Sequence, residues 1–121
     1  MIGVGIDAVD VERFRATLRR TPRVANRLFT EGERAYAARR PDPTERLAVR
    51  FAAKEAVMKA LGVGLGAFAF RDVEVVRRSS GAPTLVLGGA AFDLANNLGV
   101  ERWHVSLSHT AHVAEAIVVA E

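Results

Sequence analysis

The chain has 121 residues, half of them apolar, and it contains no cysteine. These values predict a single domain spanning residues 1–121, and they exclude disulfides, thiolate metal sites and a cysteine nucleophile. Lysine and arginine number 17 against 14 acids, a net charge of +3, so we expect an acidic partner. With no signal-peptide pattern and no apolar run of about 20 residues, we expect a soluble cytoplasmic protein that does not enter a membrane.

The first predicted element is a strand from Met1 to Val9, in which glycine alternates with branched apolar residues. Gly3 and Gly5 indicate a strand with one crowded face. An acid at the end of a strand can cap the next helix or bind a metal, and capping is the commoner role. Because Asp10 is the better cap for the helix that follows, Asp7 is left without an obvious structural role.

A strongly basic segment comes next, and Thr21-Pro22 divides it into two short helices. Such a segment is either a solvated surface or an anion-binding surface, and its composition alone favours neither. Its arginines are Arg13, Arg15, Arg19, Arg20, Arg23 and Arg27. Thr30 and Glu33 then form the pattern of a capping box, which predicts a further helix ending near Arg40.

The longest predicted helix runs from Thr44 to Leu61, because this stretch holds no glycine or proline and is rich in strong helix formers. Thr44 is the expected N-cap, and Gly62 is expected to end the helix. At about 100° per residue, apolar side chains gather on one side, which we expect to face a core. These apolar residues are Leu47, Phe51, Val57, Met58 and Leu61.

Four charged residues lie at the edges of that apolar side. Arg50 and Lys54 are four residues apart, as are Glu55 and Lys59. One interpretation is an ordinary surface pair between Glu55 and Lys59, with the other two cations extending to water. The other is a carboxylate and several cations facing a polyanion. Spacing alone favours the surface pair, because structural ion pairs are common away from active sites.

The second half of the chain predicts two hairpins separated by a helix. The glycine-rich loop 62–66 follows a helix instead of preceding one, so it is neither a P-loop nor a dinucleotide fingerprint. The expected elements are strands 72–77 and 83–87, helix 88–98, and strands 103–108 and 112–120. Ser108 and His109 are adjacent in sequence and do not form a catalytic triad, which leaves His109 as a plain turn residue or a phosphate ligand.

Four segments together resemble the holo-acyl-carrier-protein synthases, which are small phosphopantetheinyl transferases. They occur in the order and spacing of that family and cover essentially the whole chain. They are Gly3-Val4-Gly5-Ile6-Asp7 with Glu12-Arg13-Phe14, Phe29-Thr30-Glu31-Gly32-Glu33, Arg50 to Lys59 with Leu61-Gly62, and Val105-Ser106-Leu107-Ser108-His109-Thr110.

The resemblance implies transfer of the 4′-phosphopantetheine arm from coenzyme A to a serine of apo acyl carrier protein, with magnesium. It implies that Asp7 and Glu55 bind the metal, and that Glu55, Lys59 and Asp7 carry the catalysis. Lys59 is similar to the family lysine that neutralises the pyrophosphate or protonates the leaving group. The implied coenzyme A contacts are Arg50, Lys54, Gly62, Gly64, Pro83, Ser108, His109 and Thr110.

The same resemblance implies the fold and the partners. The fold is α+β, a long helix packed on a small antiparallel sheet, as in the 4′-phosphopantetheinyl transferases. The carrier protein, which is acidic, would contact Arg13, Arg20 and Arg23 on the first helix. The family also implies a homotrimer with active sites between subunits.

A nucleic-acid-binding domain is the competing hypothesis, since it would use the arginines and the single Trp103. The chain has only 7% aromatic residues and no helix-turn-helix or ribonucleoprotein signature. We therefore expect no nucleic-acid partner.

Overall fold

The computed structural model describes all 121 residues, and it confirms the predicted α+β class. One long helix packs on a three-stranded antiparallel sheet, and a separate two-stranded hairpin lies beside it. The elements are β1 (Gly3–Asp10), α1 (Val11–Arg20), α2 (Val24–Leu28), α3 (Glu31–Ala37), α4 (Thr44–Ala60), a 3₁₀ turn (Phe70–Asp72), β2 (Val73–Arg77), β3 (Pro83–Leu87), α5 (Gly89–Asn97), β4 (Trp103–His109) and β5 (Val113–Ala120). None of the helices has the length and apolar character needed to cross a membrane.

The larger sheet has the order β1-β5-β4, so the two ends of the chain pair with each other. Gly5 lies opposite Val118 and Asp7 lies opposite Ala116. Since side chains alternate along a strand, Gly3, Gly5 and Asp7 share the face that covers α4.

Strand β1 lies almost directly on the backbone of α4. A Cβ atom on Gly3 would stand 1.9 Å from the carbonyl oxygen of Ala60, and one on Gly5 would stand 1.9 Å from that of Ala56. Only glycine fits at either position, which explains the crowded strand face predicted from the sequence. This contact brings the end of β1 next to the middle of α4.

Helix α4 is buried on most of its circumference, whereas the sequence predicted burial of one side. The sheet covers one side, while α1, α3 and β2 pack on others. Its second half lies in a core of 16 buried residues with β2, α5 and β5, and its first half lies in a smaller core with α1 and Phe29. Periodicity missed this because alanines such as Ala48 and Ala52 are weak markers of burial, although both are fully buried here.

Most predicted caps are confirmed by their hydrogen bonds. Asp10 Oδ1 accepts from Arg13 N at 2.9 Å, and Thr30 and Glu33 form the complete capping box. The prediction for Thr44 is wrong: Thr44 is the first residue of α4, and its backbone N–H donates to Asp42 Oδ1 at 3.0 Å. Gly62 ends α4 as predicted, with a φ of 72° that favours glycine.

Candidate active site

Asp7, Glu55 and Lys59 converge where β1 meets α4. Lys59 Nζ lies 3.1 Å from Asp7 Oδ1 and donates to the carbonyl oxygen of Ile6 at 2.9 Å. Glu55 stands one helical turn before Lys59 and is half-buried. The residue that the sequence left without a structural role therefore forms a group with two of the predicted catalytic residues.

The electrostatics of this group favour the binding of a cation. Burial raises the pKa of the Glu55 carboxyl above its ordinary value, the negative charge of Asp7 raises it further, and Lys59 opposes the change. Two carboxylates thus share one small region with a single ammonium group. A divalent cation or a further positive group would stabilise the ionised form of Glu55.

A groove of about 570 Å³ opens beside these carboxylates. Asp7 and Glu55 lie on its wall, together with a row of aromatic side chains from α1, α4 and the 3₁₀ turn. The rings of Phe14 and Phe51 lie 5.3 Å apart, and those of Phe51 and Phe70 lie 5.5 Å apart. The full lining is Asp7, Ala8, Val9, Asp10, Arg13, Phe14, Thr17, Leu28, Phe51, Glu55, Leu65 and Phe70.

Asp7 and Glu55 are the residues here that can hold a metal. No cluster of three or more His, Cys, Asp or Glu side chains suited to a metal occurs in the chain, so the protein alone does not form a closed metal cage. Magnesium binds through one or two carboxylates with substrate phosphates and water as the other ligands. Two carboxylates with hard oxygen donors, open to a groove, fit that pattern.

The structure corrects the interpretation of Lys54 as a coenzyme A contact. Its side chain is fully buried, and Nζ lies 2.8 Å from Glu33 Oε1 and 3.0 Å from the carbonyl oxygen of Phe70, with a further contact to that of Val73. Burial lowers the pKa of Lys54, and Glu33 opposes this. The alternative in which Lys54 extends to water is wrong for the same reason.

Arg50 and His109 lie on a second, smaller cavity of about 320 Å³. His109 Nδ1 is 3.0 Å from Glu45 Oε1, and because a carboxylate only accepts, Nδ1 carries the proton and Nε2 is left available. Arg50 is 2% exposed, so it does not extend to water as the surface interpretation required. Burial lowers its pKa, while the charge of Glu33 opposes this.

The other predicted contact residues occupy varied positions. Ser108 lines the cavity of His109, whereas the Thr110 hydroxyl accepts from the backbone of His112 and Val113 at 3.1 Å and so shapes the turn. Gly62 and Gly64 lie in an open loop, and Pro83 begins β3. The three arginines predicted to bind the carrier protein, Arg13, Arg20 and Arg23, are all exposed, and Arg13 also lines the main groove.

Several residues of these cavities were not identified from the sequence. Tyr36, Arg46 and Arg77 line the cavity of His109, and Glu45 fixes the His109 ring. They come from three separate elements, so no local spacing connects them. The one sequence feature that could have pointed to this cavity is the single tyrosine, Tyr36, in a stretch rich in arginine.

Comparisons with known proteins identify the family of the chain. Residues 3–117 match the family model described as the 4′-phosphopantetheinyl transferase superfamily, and the chain belongs to that superfamily. Within it, the chain is similar to a holo-[acyl-carrier-protein] synthase of Frankia casuarinae, with 53% identity that covers 100% of this chain and 98% of the relative. The resemblance stated from the sequence motifs is therefore confirmed.

Solved structures give the same result. The holo-[acyl-carrier-protein] synthase of Neisseria meningitidis matches with a TM-score of 0.90 and 34% identity, covering 100% of this chain and 99% of that one. The Bacillus anthracis enzyme, solved in complex with CoA (3′,5′-ADP), matches with a TM-score of 0.82 and 34% identity, covering 98% of this chain and 95% of that one.

Proposed function

We propose that this chain transfers the 4′-phosphopantetheine arm from coenzyme A to a serine of apo acyl carrier protein. The products are holo acyl carrier protein and adenosine 3′,5′-bisphosphate. The observation that carries the proposal is the convergence of Asp7, Glu55 and Lys59 beside a groove, in a chain of the phosphopantetheinyl transferase superfamily.

The reaction makes one phosphorus–oxygen bond and breaks another. The serine oxygen bonds to the phosphorus that carries the pantetheine arm, the bridging bond of the pyrophosphate breaks, and its electron pair leaves with adenosine 3′,5′-bisphosphate. Such transfers need charge neutralisation and in-line positioning more than covalent help from the protein. Lys59 supplies a positive charge at the groove, and the two carboxylates would hold a divalent cation that neutralises the rest.

Each charged residue has a role that its position supports. Lys59 is largely exposed and carries a positive charge at the site, so it neutralises the leaving phosphate or donates a proton to it. Glu55 lies on the wall of the groove, where its carboxylate can position the water that takes the serine proton or accept that proton directly. Asp7 orients Lys59 through their contact at 3.1 Å.

Magnesium belongs to the proposal. Asp7 and Glu55 would hold the ion, because the two carboxylates lie on the wall of one groove and only one ammonium group, that of Lys59, accompanies them. When bound, the ion neutralises charge that develops on the phosphate oxygens. Asp7 and Glu55 would then serve as its protein ligands, and substrate oxygens and water would complete the coordination.

The acidic carrier protein would dock on α1 and the rim of the groove. Arg13 lines the groove, and Arg20 and Arg23 extend the exposed positive surface to the end of α1. Complementary charge speeds association and fixes orientation. A carrier serine that enters the groove beside Arg13 would lie near Glu55.

A homotrimer with active sites between subunits is also proposed. Its support is the outer face of β1 and β5, which presents exposed apolar side chains where a monomer would normally present polar ones. Ile2, Val4, Ile6 and Ile117 are 42% to 61% exposed. Since Ile6 precedes Asp7, an interface on this face would lie one residue from the site. A cytoplasmic location stays a prediction.

Mass spectrometry tests the activity directly. An apo acyl carrier protein incubated with the chain, coenzyme A and magnesium should gain the mass of one phosphopantetheine group. Glu55→Ala should lower the rate at least about 10²-fold, as expected for loss of a group that stabilises the transition state, and a chelator should do the same. Glu101→Ala removes an exposed glutamate outside the groove and should leave the rate unchanged. No mass gain with several carrier proteins would contradict the proposal.

A further inference from the structure

Arg15 is the one arginine of the basic segment 13–27 that pairs with an acid. Its Nη2 lies 3.0 Å from Asp42 Oδ2, its Nε donates to the same oxygen at 3.0 Å, and its Nη1 contacts Glu12. The Arg15 side chain is 16% exposed, whereas the other arginines of the segment are exposed and form no ion pair. Arg15 is therefore held in place, and the others are free to meet an acidic partner.

Asp42 joins α1 to the start of α4. One carboxylate oxygen accepts from Arg15 of α1, and the other accepts from the backbone N–H of Thr44, the first residue of α4, at 3.0 Å. The hydrogen bonds from Thr44, and then the contact with Arg15, hold the pKa of Asp42 below its ordinary value of 3.8. The carboxylate is therefore ionised throughout the neutral range and keeps both helices as partners.

The chain around Asp42 is stiff. A proline ring fixes its own φ, and it also restricts the residue before it to extended conformations. Asp42 stands between Pro41 and Pro43, so both constraints act at this position. Because a stiff segment loses little conformational entropy when it is ordered, this short link is a suitable anchor for a neighbouring helix.

Burial holds mainly the beginning of α1. Val11 and Phe14 are its buried residues, and beyond Phe14 the helix packs on the smaller core only through the half-buried Leu18. The short helix α2 that follows has no buried residue. The ion pair of Arg15 with Asp42 therefore anchors α1 beyond its buried first turn, on the way to the exposed arginines at its end.

This anchor lies on the side of α1 that faces away from the groove. Arg13, on the groove wall, and Arg15 are two residues apart, so their side chains point roughly 200° apart around the helix. The groove itself lies between α1, which contributes Phe14 and Arg13, and α4, which contributes Phe51 and Glu55. Asp42 thus connects the two helices that form opposite walls without entering the groove.

We propose that Arg15 and Asp42 are positioning residues that set where α1 presents a docked carrier protein relative to Glu55. The inference rests on the proposed function, in which three arginines on α1 and just after it bind the carrier. The catalytic residues lie on β1 and α4 instead. If α1 is displaced, a carrier can still bind it fully and yet hold its serine at the wrong distance from Glu55. Small displacements of reacting groups lower reaction rates strongly.

Steady-state kinetics with apo acyl carrier protein test the proposal. Arg15→Met and Asp42→Asn should each lower kcat about tenfold and change KM for the carrier by less than about twofold, because the docking arginines remain. Asp42→Asn keeps an oxygen that accepts from the N–H of Thr44, so α4 stays capped while the ion pair is lost. The double variant should be no slower than either single variant, because both changes remove the same link.

A matched control removes the same charge without removing the link. Arg19→Met replaces an exposed arginine of the same helix that forms no ion pair, and it should leave kcat within about twofold of wild type. The melting temperature should fall by less than about 5 °C in each variant, as expected for a partly exposed pair. A raised KM with unchanged kcat in Arg15→Met, or losses that multiply in the double variant, would overturn the proposal.

A distance measurement separates this inference from the proposed function. The chain has no cysteine, so spin labels can be attached at Ala16→Cys on α1 and Glu101→Cys outside the groove, both at exposed positions. The distribution of distances between the labels should broaden when Arg15→Met or Asp42→Asn is added, and not with Arg19→Met. If wild type modifies no carrier protein, the proposed function fails, and this measurement alone decides whether the link fixes α1. An unchanged distribution in both variants would show an ordinary surface ion pair and overturn the inference.

Discussion

Two acid–base pairs on α4 have the same chemistry and opposite surroundings. Lys54 and Glu33 are both fully buried, and the ammonium group also contacts two backbone carbonyl oxygens. Lys59 and Asp7, five residues further along α4, keep 54% and 18% of their side chains exposed. The first pair is saturated with protein partners, whereas the second shares its region with a half-buried carboxylate, Glu55.

The difference shows how one helix separates stability from catalysis. A buried ion pair tolerates no unsatisfied atom, so every oxygen of Glu33 is used: one accepts from Thr30 N and Lys54, the other from Val75 N. This network joins α3, α4 and β2. The partly exposed pair of Lys59 and Asp7, called the open pair below, leaves negative charge unbalanced at the groove, where a substrate or an ion can balance it.

The largest expected effect comes from breaking the buried pair. Lys54→Met should cost about 3–5 kcal/mol of unfolding free energy, because it leaves the Glu33 carboxylate buried without its cation. Urea unfolding followed by circular dichroism measures this. The double variant Glu33→Gln/Lys54→Met should recover part of the loss, since the uncompensated charge is gone. A cost below about 1 kcal/mol for Lys54→Met would contradict the proposed structural role.

The matched change in the open pair should affect activity instead of stability. Lys59→Met should lower kcat about 10²-fold or more, because a cation at the leaving phosphate is lost. Its unfolding free energy should change by less than about 1 kcal/mol, as is usual for exposed ion pairs. Initial rates of carrier-protein modification and the same urea titration provide both values. A loss of stability equal to that of Lys54→Met would remove the distinction between the two pairs.

The smallest expected effect is a gain in thermal stability on replacing Glu55. The pKa of Glu55 is raised above its ordinary value of 4.5, so ionised Glu55 costs folding free energy above its folded pKa, and the cost disappears below the unfolded pKa. Glu55→Gln should therefore raise the Tm of chelator-treated protein by on the order of 1–3 °C at about pH 8 and not at all at about pH 4. Calorimetry at both values tests this, and a gain that persists in acid would contradict it.

Local signals in the sequence predicted most of the fold. The capping box at Thr30 and Glu33, the cap at Asp10 and the stop at Gly62 depend on neighbours within four residues, and the structure confirms each one. The two hairpins follow from alternation and turn residues, and their observed bounds differ by about one residue from those expected. Asp7 stood out because no local role explained it.

The surroundings of the charged residues on α4 depend on long-range contacts, which sequence patterns do not predict. Lys54 is buried only because α3 brings Glu33 to it, and those residues are 21 apart in the chain. Arg77 meets Tyr36 across a still longer separation. Spacing along α4 correctly placed Lys54 beside Arg50. It could not show that Lys54 forms an ion pair with Glu33, whereas Arg50 lines a cavity.

The contact of β1 with α4 through Gly3 and Gly5 has a consequence for how this sequence can change. Because backbone meets backbone there, main-chain atoms set the spacing between Asp7 and Glu55, whatever side chains fill the interior. Replacements at Val57, Met58 or Phe68 would change the melting temperature and leave that spacing unaltered. A library that exchanges these interior residues for other apolar residues of similar total volume, and keeps both glycines, should return many active members. The interior can therefore diverge within that limit while the reaction is retained.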